Sequence, residues 1–435
     1  MSAPFLYVVR GMFRSACCSA RRSMSTGLSS LSGLKVLELG QLIAGPFATR
    51  VLADHGADVI KIEPPDREGR SGGDPLRQWR VVRNGTSIWW SSIARNKRSV
   101  TLDIRVPYDR DRIRELIDEA DICVENFRPG FLESMGLDYE NLSKTNKGLI
   151  LCRVSGYGQS GPLKDSPGFA AVAEAMGGLR YLTAEPGRMP VRCGVSLGDT
   201  LAALHGVIGI LLALQARNAS VCDAHPKGVG QVVDVALYES VFNCMESLIS
   251  EYSVLGVSRE PSGAALPGIA PSNSYNCSNG IVLVAGNGDS IFKRLMLAIG
   301  RNDLANDPGL CGNAGRVARV TEIDGAIAAW TQLRTVNDVL SILNAADVPV
   351  GKTFSAEDIA KDSHYRARNM VIEGKTRSGV PILVPGIVPH LSRTPGKLRL
   401  PAPHLGEHTA DVLQRTKKIH KFIEQRVMAP KAWEY

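Results

Sequence analysis

Three stretches of this 435-residue chain combine residue types and spacing that could do chemistry. The first is Gly194-Val195-Ser196-Leu197-Gly198-Asp199-Thr200-Leu201, where an extended segment meets an apolar helix expected to run from Asp199 to about Arg217. Asp199 has two readings there. As an N-cap it would accept backbone N–H bonds and contribute about 1 kcal/mol. As a functional carboxylate it would sit among helix-start N–H groups that favour an anion, with Gly198 admitting a substrate close to the backbone. On residue physics alone the cap is the stronger reading. The second stretch, His404-Leu405-Gly406-Glu407-His408, matches the H-x-x-E-H pattern of inverted zinc sites. That pattern needs a continuous helix to bring both imidazoles to one face. Pro403 precedes it, Gly406 interrupts it and no third ligand is evident, so a loop entering the last helix (407–413) is expected, with no metal. The third is Gly40-Gln41-Leu42-Ile43-Ala44-Gly45 after a strand, with Glu63 ending the next strand, where an acid could meet a ribose hydroxyl. The loop lacks G-x-G-x-x-G, Gly286-Asn287-Gly288 lacks a third glycine, and no G-x-x-x-x-G-K-[ST] occurs. A nicotinamide or flavin oxidoreductase is therefore disfavoured.

The elements around these stretches alternate. Strands are expected at 35–39, 58–63, 100–104, 122–124, 149–154 and 231–237. Helices are expected from Pro46 to His55 with Gly56 as the stop, from 109 to 120 with Ile113, Leu116 and Ile117 at helical spacing, and from 238 to 254. Strands alternating with helices predict an α/β fold with a mostly parallel sheet. Residues 64–92 read as a long surface loop, a kind more often functional than decorative. A Gly/Pro/Ser-rich stretch at 255–275 marks a boundary. Beyond it, a strand at 281–285 and helices at 290–299 and 336–345 suggest a smaller second domain.

Composition is that of a globular protein, with 44% hydrophobic and 22% charged residues. The formal charge is +8, and removing the four arginines of the first 30 residues (Arg10, Arg14, Arg21, Arg22) leaves +4. The remaining charges are interspersed, without the basic stripe and fold signature of a nucleic-acid binder. Such a modest positive field suits an anionic small molecule. No acid precedes Glu38, and apolar residues such as Phe5, Leu6 and Phe13 lie between the arginines, which is the pattern of a mitochondrial leader. The last residues, Trp433-Glu434-Tyr435, are no peroxisomal tripeptide. The longest apolar run, Val207 to Leu214, is short of the ~18 residues of a membrane span, so no membrane partner is expected. Nine cysteines without C-x-x-C or zinc spacing read as free thiols in a reducing compartment.

Several blocks, taken in order, resemble the family III CoA-transferases, the formyl-CoA transferase and carnitine CoA-transferase group. They are LSGLKVLELGQLIAGPFATRVLADHGADVIKIEPP (31–65), RNKRSVTLDI (95–104), ADICVENFRPGFLESMGLDYENL (120–142), SGYGQSGP (155–162), GVSLGDTLAALHGVIGILLAL (194–214), GVGQVVDVALYESVF (228–242) and PHLGEHTADVL (403–413). The resemblance implies a Rossmann-like large domain built from N- and C-terminal segments, a smaller α/β domain, and an interlocked homodimer. Applied to this chain, it gives a leader at 1–30, the first part of the large domain at 31–220, a linker at 221–255, the small domain at 256–345, a second linker at 346–364 and the returning part of the large domain at 365–435.

The same resemblance places the family's nucleophile on Asp199. It implies attack on an acyl-CoA thioester, an aspartyl anhydride and an aspartyl-CoA thioester, with CoA and acyl-CoA as substrates and no metal or redox cofactor. CoA contacts are implied at Gln41, Leu42 and Ile43, at Leu102 and Arg105, and at Asn126, Phe127 and Met135. Lys97, with its neighbours Asn96 and Arg98, is expected near the phosphates. Formyl-CoA transferase has a glutamine at the position of Ile43 and an acid at that of Ala170, and both helpers are missing here. Its glycine-rich lid has only loose counterparts, at 263–268 and 286–288. The α-methylacyl-CoA racemases of the same fold use a histidine where this chain has Phe169, which cannot exchange a proton. Transfer is expected over racemisation, and over a non-catalytic acyl-CoA binding protein. With the leader, the resemblance implies a matrix enzyme moving CoA from succinyl-CoA to glutarate, giving glutaryl-CoA, or to another dicarboxylic acid. The second carboxylate of such an acid wants a cation. Arg50, Arg77, Arg80, Arg83, Arg180 and Arg192 are unranked candidates.

Overall fold

Short apolar runs between residues 35 and 236 form one six-stranded sheet in the computed structural model, which describes residues 29–69 and 71–414. Residues 1–28, which carry the expected leader, lie outside the described residues. The strands are β1 (Lys35–Glu38), β2 (Asp58–Glu63), β3 (Lys97–Thr101), β4 (Ile122–Glu125), β5 (Ile150–Ser155) and β6 (Val232–Ala236). Their spatial order is β3-β2-β1-β4-β5-β6, and every pair is parallel. This is the doubly wound order, in which the connections reverse between β1 and β4. Such sheets are covered on both faces, so their central strands are buried throughout, as β4 and β5 are here.

Strand alternation divides the core between the two faces. Val36, Val59, Ile122 and Val124 pack against Ala48 and Leu52 of α1 (Ala44–Asp54) and against Ala203 and Ile210 of α4 (Leu197–Ala219). Leu37, Val100, Cys123 and Leu151 face the other way, onto Ile113, Leu116 and Ile117 of α2 (Pro107–Glu119). A short helix, α3 (Ala170–Met176), packs beside α4. Helix α4 is long and apolar enough to cross a membrane by length and composition, contrary to the expectation from uninterrupted runs. The run is bounded by His205, Gly206 and Gln215, which a helix tolerates, and here α4 lays its buried side on α1 and β5.

A second, antiparallel sheet joins β7 (Ser272–Cys277), β8 (Gly280–Ala285) and β9 (Val350–Lys352), with its own core around Val282, Leu295, Ile323, Val339 and Leu343. Both expected linkers therefore carry sheet structure, and this is a correction: 221–255 contains β6, and 346–364 contains β9. The helix expected over 238–254 is two helices, Leu237–Phe242 and Leu248–Leu255, parted where Glu246 turns to φ 50°. The chain then returns to the sheet edge. His408 N–H donates to the Ser99 carbonyl (2.9 Å), Thr101 N–H to Thr409 Oγ1 (3.0 Å), and the Trp90 indole to the Pro403 carbonyl (3.2 Å). Residues 405–408 are turn and helix starts only at Thr409, so the H-x-x-E-H segment presents no helical face.

Candidate active site

The reversal point between β1 and β4 opens into a cleft of about 360 Å³. Two loops form one wall. Gly40–Ile43 leaves β1, and Asn126–Pro129 leaves β4. They are locked to each other: Gln41 N–H donates to Asn126 Oδ1 (2.7 Å), and Asn126 Nδ2 donates back to the Gln41 carbonyl (2.8 Å). A Cβ on Gly40 would lie 3.2 Å from Asn126 Oδ1 and 3.3 Å from the Gly45 Cα, so glycine permits this close approach.

Leu42 occupies the left-handed region at φ 64°, a conformation that a leucine holds only when its surroundings over-determine it. The determinant is Asp74, from the 64–92 segment. That segment is not the plain surface loop expected: it carries a 3-10 turn at Pro75–Gln78, a short hairpin of Val82–Arg83 with Thr86–Ser87 and a helix starting at Ile88, and it buries Asp74, Leu76 and Arg77. Both of its oxygens accept the Leu42 N–H (3.0 and 3.1 Å), and it also accepts from Leu76 N–H (2.9 Å). Asp74 is paired with Lys61 at 2.8 Å. Lys61 donates in turn to the Gly40 carbonyl (2.7 Å) and to Glu38 (2.6 Å). A buried ionic chain thus fixes the cleft loop from beneath. Under the other loop, Glu125 accepts Phe127 N–H (2.7 Å) and pairs with Arg153 (2.8 Å). Burial, only partly offset by Arg153, raises the Glu125 carboxyl to about 6.

Asp199 lines the same cleft as Gln41, Leu42, Ile43, Asn126 and Phe127. It is the third residue of α4 and not its cap; Ser196 holds that position, without a side-chain capping bond to the helix. The N–H of Gly198 is taken instead by the buried Glu174 of α3 (Oε1, 3.2 Å), whose other oxygen accepts from Arg180 (3.1 Å). Gly198 serves this packing, since a Cβ there would lie 3.2 Å from the Ala170 carbonyl oxygen. Among the described residues no hydrogen bond or ion pair reaches the Asp199 carboxylate. Burial first, and then the charge of Glu174, raise it to about 6 against the opposing pull of Arg192. It is mostly ionised at neutral pH, half-buried and unbonded, which is the state a nucleophilic carboxylate needs.

The other residues singled out from sequence divide. Leu102 and Arg105 line a recess of about 40 Å³ that shares Gln41 and Phe127 with the main cleft as a common wall. Arg105 is exposed, its guanidinium 5.8 Å from the Phe131 ring centroid. Met135 lines neither space; it packs under the second core face, with its sulfur 3.8 Å from Arg110. Lys97 is a correction. It is fully buried, donating to Glu38 (2.8 Å) and to the Pro46 carbonyl (2.7 Å), because β3 begins three residues earlier than its apolar half suggests. Burial and the nearby Lys61 lower Lys97 to about 8, although Glu38 opposes them. Asn96 is likewise buried on Asp54, and Arg98 pairs with Asp58. Neither loose lid counterpart lines the cleft. Of the six unranked arginines only Arg192 does so, joined by Phe169, noted from sequence only as the replacement of the racemase histidine, and by Arg128, Lys164 and Trp79, which sequence reading does not single out. The one signal for Trp79 and Asp74 was the long loop that carries them.

This fold and cleft belong to one class. The model of CoA-transferase family III matches residues 31–409, and the chain belongs to that family; it is a CoA-transferase. Among its relatives, the succinyl-CoA–D-citramalate CoA-transferase of Chloroflexus aurantiacus is 42% identical over 88% of this chain and 92% of its own. The succinate–glutarate CoA-transferase of Agrobacterium fabrum is 32% identical over 90% of this chain and 96% of its own. A crystal structure of a CAIB/BAIF family protein from Brucella suis superposes with a TM-score of 0.78 at 33% identity, covering 89% of this chain and all of that one.

Proposed function

We propose that this enzyme carries CoA from succinyl-CoA to glutarate through covalent intermediates on Asp199. The observation that carries this reading is the unbonded Asp199 carboxylate, set in a cleft between the two loops of the sheet's reversal point. The carboxylate attacks the thioester carbonyl; a C–O bond forms, the C–S bond breaks, and CoA leaves as thiolate. The thiolate attacks the aspartyl carbonyl of the anhydride, releasing succinate and leaving an aspartyl-CoA thioester. Glutarate attacks that thioester, the thiolate departs again, and it then attacks the glutaryl carbonyl to give glutaryl-CoA and restore Asp199. Every step is acyl transfer, so no redox group enters. Gln41, Leu42, Ile43, Asn126 and Phe127 hold the thioester end of CoA, and Leu102 and Arg105 hold the part that reaches the adjoining recess. The first turn of α1, which lines the cleft at Ala44, has N–H groups without intrahelical partners for the developing oxyanions. Phe169, which lines the cleft where a racemase would place its histidine, offers no proton, which supports transfer over racemisation.

Glutarate is supported by the Agrobacterium relative and by the leader-like arginines; D-citramalate is the second reading, favoured by the 42% identical relative. Comparing kcat/KM for glutarate, malate and citramalate with succinyl-CoA as donor decides between them. Glutarate is expected to lead, and a lead by citramalate would reassign the acceptor. We further propose that the chain works as an interlocked homodimer in the mitochondrial matrix. Leu204, Ile208, Leu211 and Leu212 of α4 and Ile249, Val254 and Leu255 beyond it are exposed in the single chain, as an apolar face awaiting a partner would be. Sedimentation at twice the single-chain mass is the expected result, and a stable monomer would contradict it. Failure of the full-length chain to enter isolated mitochondria would contradict the location.

A further inference from the structure

The cleft holds more positive than negative charge, and its cations are not used by the protein itself. Arg192 lines it beside Asp199, and among the described residues its side chain makes one long bond, to Ser196 Oγ (3.4 Å). Lys164, exposed on the loop after β5, and Arg128, exposed after β4, line it too. Among the described residues none of the three has a carboxylate within ion-pair distance. Of the competing arginines, Arg77 grips Glu63 through two bonds (both 2.7 Å), Arg180 holds Glu174, Arg50 lies 3.8 Å from Asp54, and Arg80 and Arg83 line no part of the cleft. Glu174 is buried and already bonded to Arg180, so it neutralises none of the cleft cations.

We propose that Arg192, assisted by Lys164, binds the non-reacting carboxylate of the acid substrate and so makes the enzyme select dicarboxylic acids. This rests on the transfer reading above. The reacting carboxylate must meet the carbonyl on Asp199, so its distal partner has to find a cation within the same cleft. Arg192 is near enough for its charge to act on Asp199. Arg128 lies instead on the wall with Asn126 and Phe127, where CoA is placed. A guanidinium offers a planar fork that matches a carboxylate with two parallel bonds.

The test is Arg192→Gln in the full enzyme. Loss of a charge-assisted pair should raise the KM for glutarate on the order of ten- to a hundredfold, with Arg192→Lys falling between. The Kd for free CoA, measured by calorimetry, should stay within about threefold of the wild type. Weakening of CoA binding with an unchanged glutarate KM would overturn the proposal and assign Arg192 to the CoA phosphates. The wild-type control reports separately on the transfer reading. If it transfers CoA to no acid, calorimetric binding of glutarate still decides: binding to wild type but not to Arg192→Gln supports the proposal, and equal binding refutes it. A wild type that uses monocarboxylic acids and ignores diacids would overturn it as well.

Discussion

Asp199→Asn should reduce CoA transfer by roughly 10⁴- to 10⁶-fold, the order of loss when an enzyme is deprived of its covalent nucleophile. The amide keeps the side chain's size and its place in the first turn of α4 but cannot open the thioester. Substrate binding should survive, because the wall proposed to hold CoA is built from Gln41, Leu42, Asn126 and Phe127, whose hydrogen bonds do not involve Asp199. The pH dependence of the wild type carries the same signature. The carboxyl is raised to about 6 by burial and by Glu174, and only the ionised form attacks. kcat/KM should therefore fall as pH drops through about 6, with a slope of one proton, and level off above it. Steady-state transfer from succinyl-CoA to glutarate across pH 5 to 8 measures both effects. Asparagine activity within tenfold of the wild type would remove Asp199 from the chemistry.

Glu38→Gln should cost about 3–5 kcal/mol of folding stability, the range for removing one partner of a buried ionic group. Glu38 is fully buried and accepts from Lys61 (2.6 Å), Lys97 (2.8 Å) and Thr49 (2.5 Å). Lys61 would keep Asp74, but Lys97 would be left with only the Pro46 carbonyl. Burial alone would raise the Glu38 carboxyl; the two lysines outweigh it and hold it at about 2. A carboxyl depressed in the folded state contributes stability that is fully present above its unfolded pKa near 4.5 and is lost as pH falls toward 2. The gap between wild type and variant should therefore be widest near pH 7 and shrink below about 4. Urea unfolding monitored by tryptophan fluorescence reads it, and a loss under about 1 kcal/mol at pH 7 would contradict this view of the network. Because Lys61 also holds the Gly40 carbonyl and Asp74 holds Leu42 N–H, the variant should loosen this cleft loop along with the fold.

How much of this was legible in the sequence depends on the range of the interaction. Residues 58–63 were read to the residue as β2, because an apolar run between Gly56 and Pro64 is bounded by local signals. The helix at 336–345 was likewise exact, its start fixed by a Thr335–Asp338 capping box. The first loop and Asn126 were identified through family blocks, and the structure joins them by two hydrogen bonds. Lys97 was misplaced because its partner, Glu38, lies 59 residues away on a strand that is not its sequence neighbour. A lysine in a strand reads as solvent-facing until that pairing is known. Asp74 and Glu174 escaped for the same reason: each acts on a backbone N–H, at Leu42 and Gly198, that only the folded chain brings near. Asp199 was seen at a helix start, but its distinction from a cap is one of turn geometry and could not be read from residue type.

The covalent intermediate tests the central claim most directly. Wild-type enzyme mixed with succinyl-CoA without acceptor, quenched and digested, should carry the mass of CoA on the peptide containing Asp199, and glutarate added before the quench should remove it as glutaryl-CoA appears. Glutaryl-CoA formed while the Asp199 peptide stays unmodified, or CoA mass found on another residue, would contradict the account.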